Sequence, residues 1–259
     1  MELLWTDKYR PLVLMEIVSQ NKVIQEIEDF IGNFKPGKGL FLHGPPGIGK
    51  TLIFQVMTRE KSLDLLEMNA SDERGEERIA IFSETAKTRS IFSKGKIILI
   101  DEVDGISGKE DRGAVSAIVD LIKKSRFPVF LVGNDPWLPK LRGLRNIAKL
   151  VKVNRVSKPS IEKRLKEITE KEGVLAGDSV LKNLARWSAG DIRSAITDLQ
   201  LICHGKKEIG ENDLEILGAR DRDNPIFNIL PLIFRSKNLS FAKKSRCTSE
   251  VHIDLQTAF

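Results

Sequence analysis

The run Gly44-Pro45-Pro46-Gly47-Ile48-Gly49-Lys50-Thr51 is the stretch of this chain whose residue types and spacing most plainly suit chemistry. Its glycines let backbone N–H groups turn inward around an anion, and a helix starting behind the loop adds partial positive charge. Lys50 is placed to reach the β- and γ-phosphates of a nucleotide, and the Thr51 hydroxyl to coordinate Mg2+. A glycine-rich turn with an accidental Lys-Thr is the ordinary alternative, and the strand-loop-helix setting argues against it.

A second constellation lies further along. Ile97-Ile98-Leu99-Ile100 runs into Asp101-Glu102-Val103-Asp104, an apolar strand ending in carboxylates. Asp101 is placed to hold Mg2+ through its water shell, and Glu102 to take a proton from an attacking water. Acidic turns at strand ends are common, but the two motifs together point to ATP hydrolysis, because Glu102 supplies the base. Asn134, in Gly133-Asn134-Asp135-Pro136, can orient that water, although taken alone Asn-Asp-Pro turn chemistry explains it better. Arg193 falls near a helix start in Gly190-Asp191-Ile192-Arg193 and can bridge to the γ-phosphate, coupling domain angle to nucleotide state. A lone helix arginine is otherwise a solvated or salt-bridged residue.

These groups need a scaffold, and hydrophobic patterning supplies one. Five apolar runs, at 39–43, 63–69, 96–100, 128–132 and 149–153, read as buried strands. Helical patterns separate them, at 21–34, from 51, at 77–92 and at 113–124. Strands alternating with helices predict a parallel sheet covered on both faces. After about Arg155 the rhythm changes. Helices are predicted at 160–172, 178–187 and from Asp191 to about Cys203, with no strand pattern, so a small all-helical unit follows. Another helix is predicted at 224–234, followed by a tail made basic by Arg235, Lys237, Lys243, Lys244 and Arg246, which reads as a solvated segment.

Composition narrows the classes. Among the 259 residues, 41% are hydrophobic and 30% charged, a balance that sets aside disorder. No apolar run approaches the roughly 20 residues of a spanning helix, so a membrane protein is excluded, and no signal peptide is visible at Met1–Asp7. Two cysteines and three histidines, scattered, exclude a disulfide framework and a structural zinc site and favour a reducing compartment. The net charge of +6 permits an anionic partner such as nucleic acid without requiring one.

Taken together, the motifs resemble those of the AAA+ ATPases. Leu4-Trp5-Thr6-Asp7-Lys8-Tyr9-Arg10-Pro11 and Glu67-Met68-Asn69-Ala70-Ser71-Asp72-Glu73-Arg74-Gly75 are similar to boxes of the replication factor C clamp loaders. Asp101-Glu102-Val103-Asp104, Glu110-Asp111-Arg112-Gly113 and Gly133-Asn134-Asp135-Pro136-Trp137 resemble the archaeal large-subunit version. The resemblance covers about residues 1–240. It implies an α/β AAA+ P-loop NTPase domain with a parallel five-stranded sheet, a small all-helical lid domain and the start of a helical collar. The corresponding ranges are 1–155, 156–218 and 219–259.

The resemblance also implies Asn134 as sensor 1, Arg193 as sensor 2, and Tyr9, Arg10, Pro11 and Ile17-Val18 wrapped around adenine. ATP and Mg2+ are the implied cofactors. Clamp-loader small subunits, the ring-shaped sliding clamp and primer–template DNA are the implied partners, in an archaeal cytoplasm close to the nucleoid. Helix 77–92, with Ile79 and Phe82, is the candidate clamp-facing element, although core packing explains it better on sequence alone. Arg78, Lys87, Lys94 and Arg112 are candidate DNA-phosphate contacts by position and charge.

Two departures stand out. Small subunits carry a Ser-Arg-Cys motif between the sensors; here that region reads Leu144-Arg145-Asn146-Ile147-Ala148-Lys149. Ser245-Arg246-Cys247 lies in the tail and is read as coincidence. The chain is therefore expected to receive an arginine from a neighbour and not to donate one. Large subunits also continue into a complete collar, so truncation or frame disruption after about Ala242 is the second expectation. An ATP-binding interaction module without hydrolysis, a small clamp-loader subunit and a helicase motor stay open as alternatives.

Overall fold

The computed structural model describes residues 3–71, 82, 84, 95–106 and 112–217. The chain opens with a one-turn helix, α1 (Trp5–Lys8), followed by α2 (Asn21–Gly32), which buries Val23, Ile24 and Ile27. The predicted end of α2 at Phe34 overshoots: Asn33 leaves the helical conformation, and its side-chain amide donates to the Asp29 carbonyl at 3.0 Å. Next come β1 (Gly39–His43), α3 (Lys50–Lys61), β2 (Asp64–Asn69) and β3 (Lys96–Asp101). The sheet-forming part closes with α4 (Arg112–Lys124), β4 (Val129–Gly133), α5 (Arg142–Ile147) and β5 (Ala148–Lys152).

These five strands form one sheet in the order β2-β3-β4-β1-β5, and every pairing is parallel. The predicted parallel five-stranded sheet is present, with strand ends shifted by a residue at most. Both faces are dry because alternate side chains serve different clusters. Leu40, Leu42, Ile97, Leu99, Phe130 and Val132 pack with Ile27 of α2 and Ile53, Phe54 and Met57 of α3. Phe41, Ile98, Ile100, Val129 and Leu131 pack with Ile118 and Ile122 of α4 and Leu144 of α5. Phe82 belongs to this second cluster and is 8% exposed. It therefore fills the core, which corrects its candidacy as a clamp contact. Ile79, Arg78, Lys87 and Lys94 lie outside the described residues.

The rest of the described chain is α6 (Lys158–Glu172), β6 (Leu175–Ala176), α7 (Asp178–Trp187), α8 (Ile192–Cys203), β7 (Glu208–Ile209) and a closing 3-10 turn, Glu211–Leu217. Ser157 caps α6 by accepting from the Ser160 N–H, Gly173 ends it in the left-handed region, and Asp191 caps α8 through the Ser194 N–H at 2.8 Å. The expectation of a purely helical unit is corrected here, since β6 and β7 pair in parallel. Strands of two residues are too short to show the period-2 alternation by which strands are read. The predicted helix 224–234 and the basic tail lie outside the described residues. Among the described residues, no helix is long and apolar enough to cross a membrane.

The ring of Phe130 is fully buried, at 4.7 Å from the Phe54 ring and 5.3 Å from the Phe30 ring. Phe130→Ala is expected to cost about 3–5 kcal/mol, read from the midpoint of a urea titration. A loss under about 1 kcal/mol would contradict a sheet whose α2/α3 face is organised around this side chain.

Candidate active site

In a parallel sheet of this kind the crevice lies beyond the carboxyl ends of the strands. β1 delivers the loop 44–49 there, β3 delivers Asp101 and Glu102, and β4 delivers Asn134. Lys50, the first residue of α3, is only 9% exposed. Its ammonium donates to the Gly44 and Pro45 carbonyls, both at 2.8 Å, and to Asn134 Oδ1 at 2.9 Å. Three neutral acceptors thus satisfy three donors, and the lysine ties the loop to the end of β4. Burial, the largest influence, lowers the Lys50 pKa below the ordinary lysine value; Asp101 and Asp104 oppose that shift, while Arg193 adds to it.

The Thr51 hydroxyl donates to Asp101 Oδ2 at 2.5 Å, so the first helical turn is also tied to β3. A hydroxyl and a carboxylate at this spacing form a hard oxygen pair, which fits Mg2+ completed by water and phosphate oxygens. Glu102 sits one residue beyond the strand with φ of +52°, a left-handed conformation unusual for a glutamate. Its carboxylate accepts from the Ser71 hydroxyl at 2.7 Å and from the Asn69 side-chain amide at 3.3 Å. The backbone N–H of Asn134 donates to Asp104 Oδ2 at 2.9 Å. Asn69, Ser71 and Asp104 had no assigned part in the sequence reading. They sit within the quoted motifs, but their mutual reach depends on the register of β2 against β3, which places Asn69 beside Asp101.

The helical portion completes the crevice. Gly47 has φ of +68°, and a Cβ there would overlap the Asp191 carboxylate. The same carboxylate caps α8, so the loop tip packs directly on a helix start. The Arg193 N–H donates to the Gly47 carbonyl at 3.3 Å. The sequence marked Asp191 as the opening of this helix, whereas its capping bond and its contact with Gly47 were not legible.

A cavity of about 530 Å³ gathers most of the predicted site: Pro46, Gly47, Ile48, Gly49, Lys50 and Thr51 with Asp101, Glu102, Asn134 and Arg193. Tyr9, Arg10, Pro11, Ile17 and Val18 line it as well, together with the unpredicted Arg164, Val156 and Ile196. Gly44 and Pro45 lie behind, as acceptors for Lys50, and Pro45 borders a second, smaller hollow with Arg155 and Asp191. Of the DNA candidates, Arg112 is the first residue of α4, which lies on the opposite face of the sheet from α3.

Comparison with known proteins agrees with this architecture. Residues 40–155 match the profile of the ATPase family associated with various cellular activities (AAA). The chain is 42% identical over 239 residues to the replication factor C large subunit of Nanoarchaeum equitans, covering 91% of this chain and 55% of that protein. It is 43% identical to the replication factor C large subunit of Thermofilum pendens (90% and 58% covered) and 40% to that of Sulfolobus acidocaldarius (98% and 60%). It therefore spans less than two thirds of the length of these relatives. The Holliday junction branch migration motor RuvB of Thermotoga maritima shares the fold, with a TM-score of 0.64 at 20% identity over 87% of this chain and 79% of that one. The chain is thus similar to archaeal replication factor C large subunits, with an AAA P-loop fold at residues 40–155.

Contact between loop tip and cap makes a coupled pair. Gly47→Ala forces alanine into the left-handed region at about 1–2 kcal/mol and also displaces Asp191. The double variant Gly47→Ala/Asp191→Ala is expected to lose less stability than the two single variants summed, by roughly 0.5–1 kcal/mol in thermal or urea unfolding. Strict additivity would contradict the contact.

Proposed function

We propose that this chain is the ATP-hydrolysing part of a replication factor C large subunit, which uses ATP binding and hydrolysis to load a sliding clamp onto primer–template DNA. The observation that carries this reading is the convergence of the loop 46–51, Asp101, Glu102, Asn134 and Arg193 on one cavity, in a chain similar to large subunits. On this reading residues 1–155 are the nucleotide-binding domain, 156–218 the lid and 219–259 the start of a collar.

The roles follow from the chemistry of each group. The backbone N–H groups of residues 47–51 and the Lys50 ammonium hold the β- and γ-phosphates. Lys50 begins with neutral partners, so an arriving phosphate supplies the counter-charge that its burial disfavours leaving absent. Thr51 and Asp101 would hold Mg2+, whose charge would offset that developing on the phosphate oxygens. Glu102 takes the proton of the attacking water, and this requires its carboxylate to turn from Ser71 and Asn69 toward the cavity. Asn134, bonded to Lys50, orients the water, and Arg193 reaches the γ-phosphate from α8. Because α8 starts on the tip of the loop, a change at the phosphates is transmitted to the helical portion. Clamp-loader small subunits, the clamp and DNA are the proposed partners, and an arginine from a neighbouring subunit completes the site.

Two outcomes are expected. Lys50→Ala abolishes binding of a fluorescent ATP analogue, since the loop loses its cation; unchanged affinity would remove the phosphate-loop assignment. Glu102→Gln binds ATP like the wild type. In a complex whose small-subunit sites are silenced, it hydrolyses ATP at least about 100-fold more slowly when clamp and primed DNA are added. Equal turnover would assign the base to another residue. ATP binding without any stimulated turnover by the wild type would leave an ATP-binding interaction module instead.

A further inference from the structure

The segment Trp5–Pro11 is a short helix and turn with no buried residue in α1, and contacts with the helical portion hold it in place. The Trp5 N–H donates to Gln200 Oε1 at 2.8 Å, and Lys8 pairs with Glu172 at 2.8 Å. Arg164 of α6 donates through Nη2 to the Tyr9 carbonyl at 2.8 Å, while its Nη1 pairs with Glu167 at 3.0 Å. The arginine side chain is 13% exposed, and its two bonds leave the planar guanidinium little freedom to rotate. Among the described side chains of the helical portion that hydrogen-bond this segment's backbone, Arg164 is the one that also lines the cavity.

The walls beside it are apolar: Val18 and the Tyr9 ring pack against the cluster that contains Val156 and Ile196. The phosphate-handling groups are gathered instead around Lys50 and Asp101. An elongated ligand with an anionic end and a flat apolar end is the shape and chemistry that such a cavity accepts.

Resting on the function proposed above, we infer that Arg164 is a positioning residue for the nucleotide's base, acting by fixing the Tyr9 carbonyl and so the segment that forms one wall of the base end. A charged donor on a backbone carbonyl is among the stronger hydrogen bonds available, and its partner is more than 150 residues away in the chain. Without it Tyr9 keeps its side-chain contacts, with Glu172, with the Lys171 ammonium 5.9 Å from the ring centre and with the apolar cluster, but its backbone carbonyl loses the Arg164 donor. The phosphate end has no bond to Arg164.

The test compares two ligands by calorimetry in the presence of Mg2+: ATP, and inorganic tripolyphosphate, which keeps the phosphates and lacks the base. Arg164→Ala is expected to bind ATP about ten-fold more weakly, equal to about 1.4 kcal/mol, with tripolyphosphate affinity unchanged. Arg164→Lys keeps the charge and a donor nitrogen but loses the planar fork that holds Tyr9 and Glu167 together, and is expected to fall between wild type and Arg164→Ala in ATP affinity. It also serves as the measured variant if Arg164→Ala does not fold. Parallel loss of both ligands, or no loss of either, overturns the inference, while wild-type binding of both ligands keeps the phosphate-site reading standing. Wild-type protein that binds neither ligand overturns the site reading itself, and the inference with it.

Discussion

The buried ammonium of Lys50 is the interaction on which the site depends. A lysine removed from water must find acceptors for its three donors, and here they come from two separate pieces of chain, the loop carbonyls of Gly44 and Pro45 and the amide of Asn134 at the end of β4. That requirement sets the distance between β1 and β4, which the sheet satisfies by pairing them directly. The neighbouring Thr51 makes the equivalent demand on β3 through Asp101. Consecutive residues at one helix start thus cross-link three segments, and an anion entering the crevice meets groups already held in place.

The same economy extends to the helical portion. Asp191 satisfies a free N–H at the start of α8 and occupies the space that only a glycine at position 47 leaves open. Any shift of the loop is therefore felt at a helix end, and the reverse holds too. The N-terminal segment joins the two parts again on the far side of the cavity, with Arg164 and Gln200 at one end and Gln55 and Glu60 of α3 at the other. A cavity bounded in this way is lined by residues of both packed cores, so on the proposed function a change at the phosphates bears on their relative placement.

Much of this was legible in the residues. The central strands β1, β3 and β4 were readable because they bury both faces and so appear as nearly continuous apolar runs, as in Ile97-Ile98-Leu99-Ile100. The loop, Asp101 and Glu102 stand out in the sequence because the proposed phosphate and metal chemistry restricts residue type, and the structure brings them to one cavity. What escaped was set by register and by contact across the chain. Asn69 and Ser71 reach Glu102 only because β2 pairs with β3 in one particular register. Arg164 looks like any surface arginine of a charged helix until Tyr9 is placed beside it. Phe82 is a candidate contact by sequence although core packing is the better reading of its pattern, and it belongs to the core. The β6–β7 ladder is too short to leave a period in the sequence.

The central claim is that one cavity takes a whole nucleotide, phosphates at Lys50 and base between Tyr9, Val18 and the helical portion. The most direct measurement is a crystal structure of the chain with Mg2+ and a non-hydrolysable ATP analogue. The account predicts phosphate oxygens within hydrogen-bonding distance of Lys50 and the backbone N–H groups of residues 47–51, with the base against Tyr9 and Val18. A base directed into solvent, or phosphates held elsewhere than on this loop, would contradict it.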